Sequence, residues 1–208
     1  MPRLITALLF EPFDDNIFMN GCDIMTIRPY DKKDKKDVQF VCLNSDGPCK
    51  SSRRGVNFCL SVYCDYYIER EPENCFVAAD ENGKAIGYVI STENFDVFKE
   101  RFLKDYYTRI KKWEFRRRRS ALKSIIPHEK YKEEYPSHLH IDVLPEYQRM
   151  GIGHKMTDAL FENLKKKGVK GIMLTTWIKN EKGRGFYDKY GFTLLEEMKN
   201  CAVYGLKF

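Results

Sequence analysis

Residues 137–168 admit few folds. Within 137–143, Leu139, Ile141 and Val143 alternate with His138, His140 and Asp142, the pattern of a half-buried strand. Pro145 ends it, and Gln148-Arg149-Met150-Gly151-Ile152-Gly153 forms a glycine-bearing loop. Ile152, Met156, Ala159, Leu160 and Leu164 then share one face of a helix, with Gly168 as its stop. A strand that feeds a helix through such a loop turns backbone N–H groups and the positive end of the helix toward the gap, where a phosphate can sit. The loop lacks the Lys-Ser/Thr of a Walker loop, and Gly151-Ile152-Gly153 is short of a dinucleotide fingerprint.

The elements around this unit predict a mixed sheet flanked by helices. After a poorly patterned opening of about 22 residues, 24–28 alternate as a strand stopped by Pro29. Asp31 caps a helix with Val38, Val41 and Cys42 on its apolar side, closed by Gly47-Pro48. A second helix over 56–69 lines up Val56, Leu60, Tyr63 and Tyr67. Two strands at 75–80 and 84–91 flank the turn Glu81-Asn82-Gly83. From 95 to 124 the pattern is helical and aromatic. Downstream, a strand at 171–177, a short helix at 181–189 and a terminal strand pair at 192–198 and 202–207 complete the order.

The chain has 208 residues, 43% hydrophobic and 32% charged, material for one domain spanning 1–208. Its longest uncharged stretch, 55–64, is ten residues, half of the ~20 that a membrane-crossing helix needs. The apolar run at 4–10 is short for a signal peptide and meets Glu11-Pro12 without a small-residue cleavage site. Seven cysteines (22, 42, 49, 59, 64, 75 and 201) are scattered without CxxC pairs. They read as buried, reduced thiols, so a cytoplasmic protein is expected. Charge is concentrated: residues 95–134 hold 13 Lys or Arg against 7 Asp or Glu, which accounts for the whole net charge of +6. Their centre, Arg116 to Arg119, lies in a segment of mixed sign, unlike the broad basic footprint of nucleic-acid-binding domains.

The run His140-Ile-Asp-Val-Leu-Pro-Glu-Tyr-Gln148-Arg-Met-Gly-Ile-Gly153, with Asn180 and Gly185-Phe186-Tyr187-Asp-Lys-Tyr-Gly191-Phe192 downstream, resembles the GNAT superfamily of acyl-CoA-dependent N-acetyltransferases. The motifs cover about 137–198 in family order, and weaker similarity extends forward over most of the chain. Residues 137–147 also resemble the acetyltransferase-like domains attached to O-GlcNAc hydrolases. The resemblance implies an α/β (α+β) fold with a mostly antiparallel sheet, and the long connection at about 92–136, rich in Tyr, Phe and Arg, reads as a helical insertion before the motif strand.

It also implies a chemistry. The amides of Arg149, Met150, Gly151, Ile152, Gly153 and His154, following Gln148, would bind the diphosphate of acetyl-CoA, with the side chain of Arg149 or Lys155 beside a phosphate oxygen. The backbone of Ile141 to Val143 and the side chain of Asn180 would meet the pantetheine arm. The amine attacks the thioester directly, and Tyr187 stands where the family keeps the acid that protonates the leaving sulfur. His138, His140 and Asp142 are the candidates for the base. The positions where relatives keep a strand base hold Ser137 and Leu139 here, so either a one-residue bulge aligns a histidine or water relays the proton. No metal is expected, because His138 and His140 lack further ligands.

The motif leaves the acceptor open. The leading reading is a small-molecule primary amine, with the basic insertion favouring one that bears a negative group. A protein or peptide amine is the nearest enzymatic alternative. A non-catalytic acyl-CoA-binding module and a nucleic-acid-binding protein are the other classes, and the terminal strand pair offers an edge for a homodimer.

Overall fold

The computed structural model describes residues 17–20, 23–45 and 52–208. Leu4 to Phe10, Gly47-Pro48, Cys22 and Cys49 therefore lie outside the described residues. An eight-stranded sheet runs in the order β1-β2-β3-β4-β5-β6-β8-β7. Its strands are β1 (Ile17–Asn20), β2 (Asp23–Pro29), β3 (Cys75–Ala79), β4 (Ala85–Thr92), β5 (Ser137–Val143), β6 (Gly171–Trp177), β7 (Thr193–Glu197) and β8 (Cys201–Lys207). Every neighbouring pair is antiparallel except β5 and β6.

That exception creates the site. β5 and β6 are in register only at Ser137 with Ile172 and His138 with Met173, after which they separate. From 139 onward the β6-facing edge of β5 has no strand partner among the described residues. On its other edge β5 stays in unbroken register with β4 from His138 to Val143. The bulge considered for aligning a histidine is therefore absent from this pairing.

The two faces of the sheet have different covers. Against β2 to β5 packs α7 (Ile152–Lys166), whose Ile152, Met156, Leu160 and Leu164 are all buried. Each such side chain contributes ~1.5–3 kcal/mol through burial. Gly168 ends this helix at φ 76°, the left-handed turn that glycine takes without strain. On the opposite face lie α1 (Lys35–Asn44), α2 (Arg53–Tyr63) and α3 (Asp65–Arg70). Asp31 caps the 3-10 turn Lys32–Asp34 that leads into α1, accepting from the amide of Lys33 at 2.9 Å. Ser52 Oγ accepts from the amide of Gly55 at 3.1 Å and starts α2.

Three elements differ from the sequence pattern. β1 was not foreseen in the opening residues. The expected helix over 56–69 is two helices, broken at Cys64, where φ −138° and ψ −64° leave the helical region. The insertion is helical as expected but interrupted: α4 (Phe95–Arg101), a π turn (Phe102–Tyr106), a 3-10 turn (Tyr107–Arg109), α5 (Phe115–Ser124) and α6 (Ile126–Tyr131). Its apolar period continues across the breaks because Phe98, Phe102, Tyr106 and Ile110 are all buried.

Candidate active site

A groove of about 810 Å³ opens where β5 and β6 part. Its floor includes Ile141, Asp142 and Val143, and its walls come from the 148–154 loop and from α8 (Glu181–Tyr190). Gln148 Nε2 donates to the Val143 carbonyl at 3.1 Å, which folds the loop back on the strand. Arg149 (φ 66°) and Gly151 (φ 80°) are both left-handed, so the main chain curls into a concave nest before α7 begins. The amides of 149–154 donate to no carbonyl among the described residues, and the first bonded N–H is that of Lys155, to Gly151 O at 3.2 Å. Free donors at the positive end of a 15-residue helix fit a diphosphate.

The predicted cofactor residues line this groove with one exception. Met150 packs its side chain against the core, so only its main chain belongs to the loop. Asn180 lines the groove but is also the cap of α8, accepting from the amide of Gly183 at 3.0 Å and donating to Thr176 Oγ1 at 3.1 Å. The ring of His154 lies between α7 and α8, 5.2 Å from Tyr190 and 4.9 Å from Phe186. Gly153 permits that approach, since a Cβ there would stand 3.2 Å from Phe186 Cε2. The Val143 carbonyl, expected to be free for a ligand amide, already accepts from Gln148.

Tyr187 reaches the groove from α8, with its ring among Phe186, Phe192 and Tyr204. Burial, and then the nearby Asp142 carboxylate, push its phenol above the ordinary range, so the hydroxyl keeps its proton.

The three base candidates share a face but not an environment. Asp142 faces the groove and accepts a hydrogen bond from the Tyr88 hydroxyl. His140 is half-buried, with its Nε2 3.1 Å from Tyr67 Oη and its ring edge-on to Tyr63 and Tyr67. His140 does not line the groove, and neither does His138, which is only 1% exposed. Tyr67, Phe98 and His128 enclose its ring, which removes it from direct contact with a substrate there. Ser137 and Leu139, at the family's base positions, are buried, and Ser137 Oγ bonds to Ser91 and to the carbonyl of Thr92.

His128, from α6 of the insertion, is the residue that the sequence reading missed. Its neighbours come from separate segments, so no local motif marks it. Burial holds His128 down at about 3 and His140 at about 4, and drives His138 well below the usual imidazole value. All three are neutral at pH 7. An unfolded chain protonates these imidazoles near ~6.5, and the folded chain does so only at lower pH. Stability should therefore be full above that value and fall as pH drops through it. A plot of melting temperature between pH 8 and 5 checks this, and a flat profile would contradict it.

A small cavity of about 20 Å³ lies on this side of the sheet, lined by His128, His138, His140, Tyr63, Tyr67 and residues of the insertion including Ser124 and Ile125. No arginine lines it. Arg117 pairs with Glu114, and Arg118 stacks on Tyr107 and donates to Ile110 O. None of Arg116 to Arg119 lines this cavity.

The sequence matches the Acetyltransferase (GNAT) family over residues 49–192. The chain belongs to that family. It is a GNAT-type N-acetyltransferase with acetyl-CoA as its co-substrate. N-alpha-acetyltransferase 30 of Schizosaccharomyces pombe is 25% identical over 170 residues, covering 81% of this chain and 84% of the relative. Among solved structures, SsHAT superposes with a TM-score of 0.76 at 22% identity, covering 88% of this chain and 98% of its own. The PaiA N-acetyltransferase of Thermoplasma acidophilum, solved in complex with coenzyme A, has a TM-score of 0.56 at 15% identity, with 88% and 99% covered. This GNAT chain shares their mixed, mostly antiparallel sheet flanked by helices. Among its described residues no helix is long and apolar enough to cross a membrane, and no three His, Cys, Asp or Glu side chains group as metal ligands. Cys42, Cys59, Cys64 and Cys75 are buried cysteines outside any disulfide, and Cys201 is half-buried.

Proposed function

We propose that this GNAT enzyme acetylates the primary amine of a compact small molecule. The observation that carries the reading is the roof over the acceptor face: Phe98, Phe102, Ser124, Ile125 and His128 of the insertion close a cavity of about 20 Å³ beside His140. Such a space suits an amine head better than a chain running across the sheet. Its lining holds no carboxylate, which argues against polycations as preferred acceptors.

In this reading the amides of 149–154 hold the acetyl-CoA diphosphate, the free edge of β5 aligns the pantetheine arm, and Asn180 keeps α8 against it. His140 takes the proton from the acceptor ammonium, because it is neutral and at the parting of β5 and β6. Tyr187 gives its proton to the departing thiolate. The nearest alternative is a peptide N-terminus, favoured by the resemblance to N-alpha-acetyltransferase 30. A thiol-release screen with acetyl-CoA decides. Turnover with compact amines well above that with peptides is expected, and the reverse order would overturn the proposal.

A further inference from the structure

The outer face of α5 is built unlike the rest of the surface. Of the eight large apolar side chains exposed among the described residues, four (Trp113, Phe115, Leu122 and Ile126) fall within one short stretch of the insertion, and Phe115 is 76% exposed. Scattered apolar residues are normal on a surface, whereas a cluster marks a contact. At 3.6 residues per turn, Leu122, Phe115, Arg119, Lys123 and Arg116 follow one another around α5 over roughly 120°. All five are exposed. The opposite side of the helix is already in use: Ala121 is buried, Arg118 donates to Ile110 O and lies over Tyr107, and Arg117 pairs with Glu114. Residues 111–126 hold seven Lys or Arg and a single acid, Glu114, which is buried against Arg117. The next acids along the chain, Asp105 and Glu129, are paired with Arg70 and Lys99. Four exposed apolar side chains thus stand among the exposed cations Lys111, Lys112, Arg116, Arg119 and Lys123, with no exposed acid between them.

We infer that this face of the insertion docks on an anionic lipid bilayer. The inference goes beyond the proposed function and does not depend on which amine is the acceptor. Negatively charged headgroups attract the lysines and arginines, and the acyl boundary beneath them takes up apolar side chains that water leaves exposed. Leu122 and Ile126 decide between lipid and nucleic acid. Trp113 and Phe115 have rings that can stack on bases, but a branched aliphatic side chain gains little from a base face or a phosphate. A polynucleotide also calls for a broad basic footprint, whereas the charges of this chain balance outside 95–134. No residue of 111–126 lines the groove at the parting of β5 and β6, so the patch is separate from the cofactor site. At its far end, Ser124 and Ile125 line the acceptor cavity. The ten residues of α5 span about 15 Å, so a docked enzyme holds its acceptor side close to the lipid surface.

The test is co-sedimentation of the intact protein with vesicles of phosphatidylcholine alone and of phosphatidylcholine with about 30% phosphatidylserine. We expect pelleting with the anionic vesicles only, and less of it as salt rises. Trp113→Ala with Phe115→Ala, and Arg116→Gln with Arg119→Gln, should each lower the vesicle partition coefficient by about tenfold. All four side chains are exposed, so melting temperatures and thiol release with a soluble amine should stay at wild-type values. In a Trp177→Phe background Trp113 is the sole tryptophan, and its emission should move to shorter wavelength on anionic vesicles. The proposal is overturned if the wild-type protein stays in the supernatant, pellets equally with neutral vesicles, or pellets undiminished in both double variants. Pelleting with an unmoved Trp113 emission would reduce the contact to bare charge attraction and overturn it too. Without vesicle binding, retention by single-stranded RNA would give the face to a nucleic acid, and a dimer dissociated by the aromatic pair of substitutions would give it to a second copy; either replaces the lipid.

Discussion

Replacing Tyr187 by Phe should lower kcat by about a hundredfold, the low end of what a positioned proton donor supplies. The loss should appear in kcat, with KM for acetyl-CoA nearly unchanged. That division follows from geometry. The ring of Tyr187 packs on Phe186, Phe192 and Tyr204, and a phenylalanine keeps those contacts. The hydroxyl makes no protein hydrogen bond among the described residues, so its removal leaves no partner stranded. What disappears is a proton that burial holds on the oxygen through the neutral range. A variant with wild-type kcat would remove Tyr187 from the acid role. One with kcat intact and a raised KM for acetyl-CoA would make it a binding residue instead.

Glu71→Ala should cost about 3 kcal/mol of stability, through loss of charge-assisted hydrogen bonds and the stranding of their donors. Glu71 is 8% exposed, and its two oxygens collect four donors from separate segments. Oε1 accepts from Tyr66 Oη at 2.7 Å and Thr92 Oγ1 at 2.6 Å. Oε2 accepts from the amide of Glu93 at 2.9 Å and from Asn74 Nδ2 at 3.2 Å. The carboxylate thereby ties the end of α3 to the end of β4, at the point where the insertion departs. For a chain of this size a loss of that magnitude lowers the melting temperature by about 10 °C. A fall of under about 2 °C would mean that water replaces the carboxylate and that the insertion is held in place by its apolar contacts alone.

The strand, loop and helix that build the groove were legible because their signals are local. Alternation in 137–143, the stop at Pro145 and the glycines at 151 and 153 each constrain their own neighbourhood, and β5 and β6 have the expected bounds. The breaks at Cys64 and in the π turn were not legible, because the apolar period of α2 and α4 runs on across them. Strand β1 is four residues long, too short for a periodicity to register. The inward face of β5 was harder still. Alternation put His138 and His140 together, but their different surroundings depend on Tyr67, Phe98 and His128, which lie 71, 40 and 10 positions away from His138. Glu71 was hidden for the opposite reason. It sits in Glu69-Arg70-Glu71-Pro72-Glu73, a stretch whose composition reads as solvated surface.

A charge count is blind to placement for a related cause. A tally over 95–134 cannot tell an arginine that points at solvent from one that is held by the protein. Arg117 and Arg118 are used internally, and Arg116 and Arg119 are exposed. None of the four lines the cavity beside His140.

Every step of the proposed chemistry presupposes that the unbonded amides between Gln148 and Lys155 grip a diphosphate. Isothermal titration of the folded protein with coenzyme A measures this without an acceptor. We expect saturable heat with one site per chain, abolished by competing acetyl-CoA. No heat at millimolar ligand, from a sample shown to be folded by its melting transition, would contradict the account.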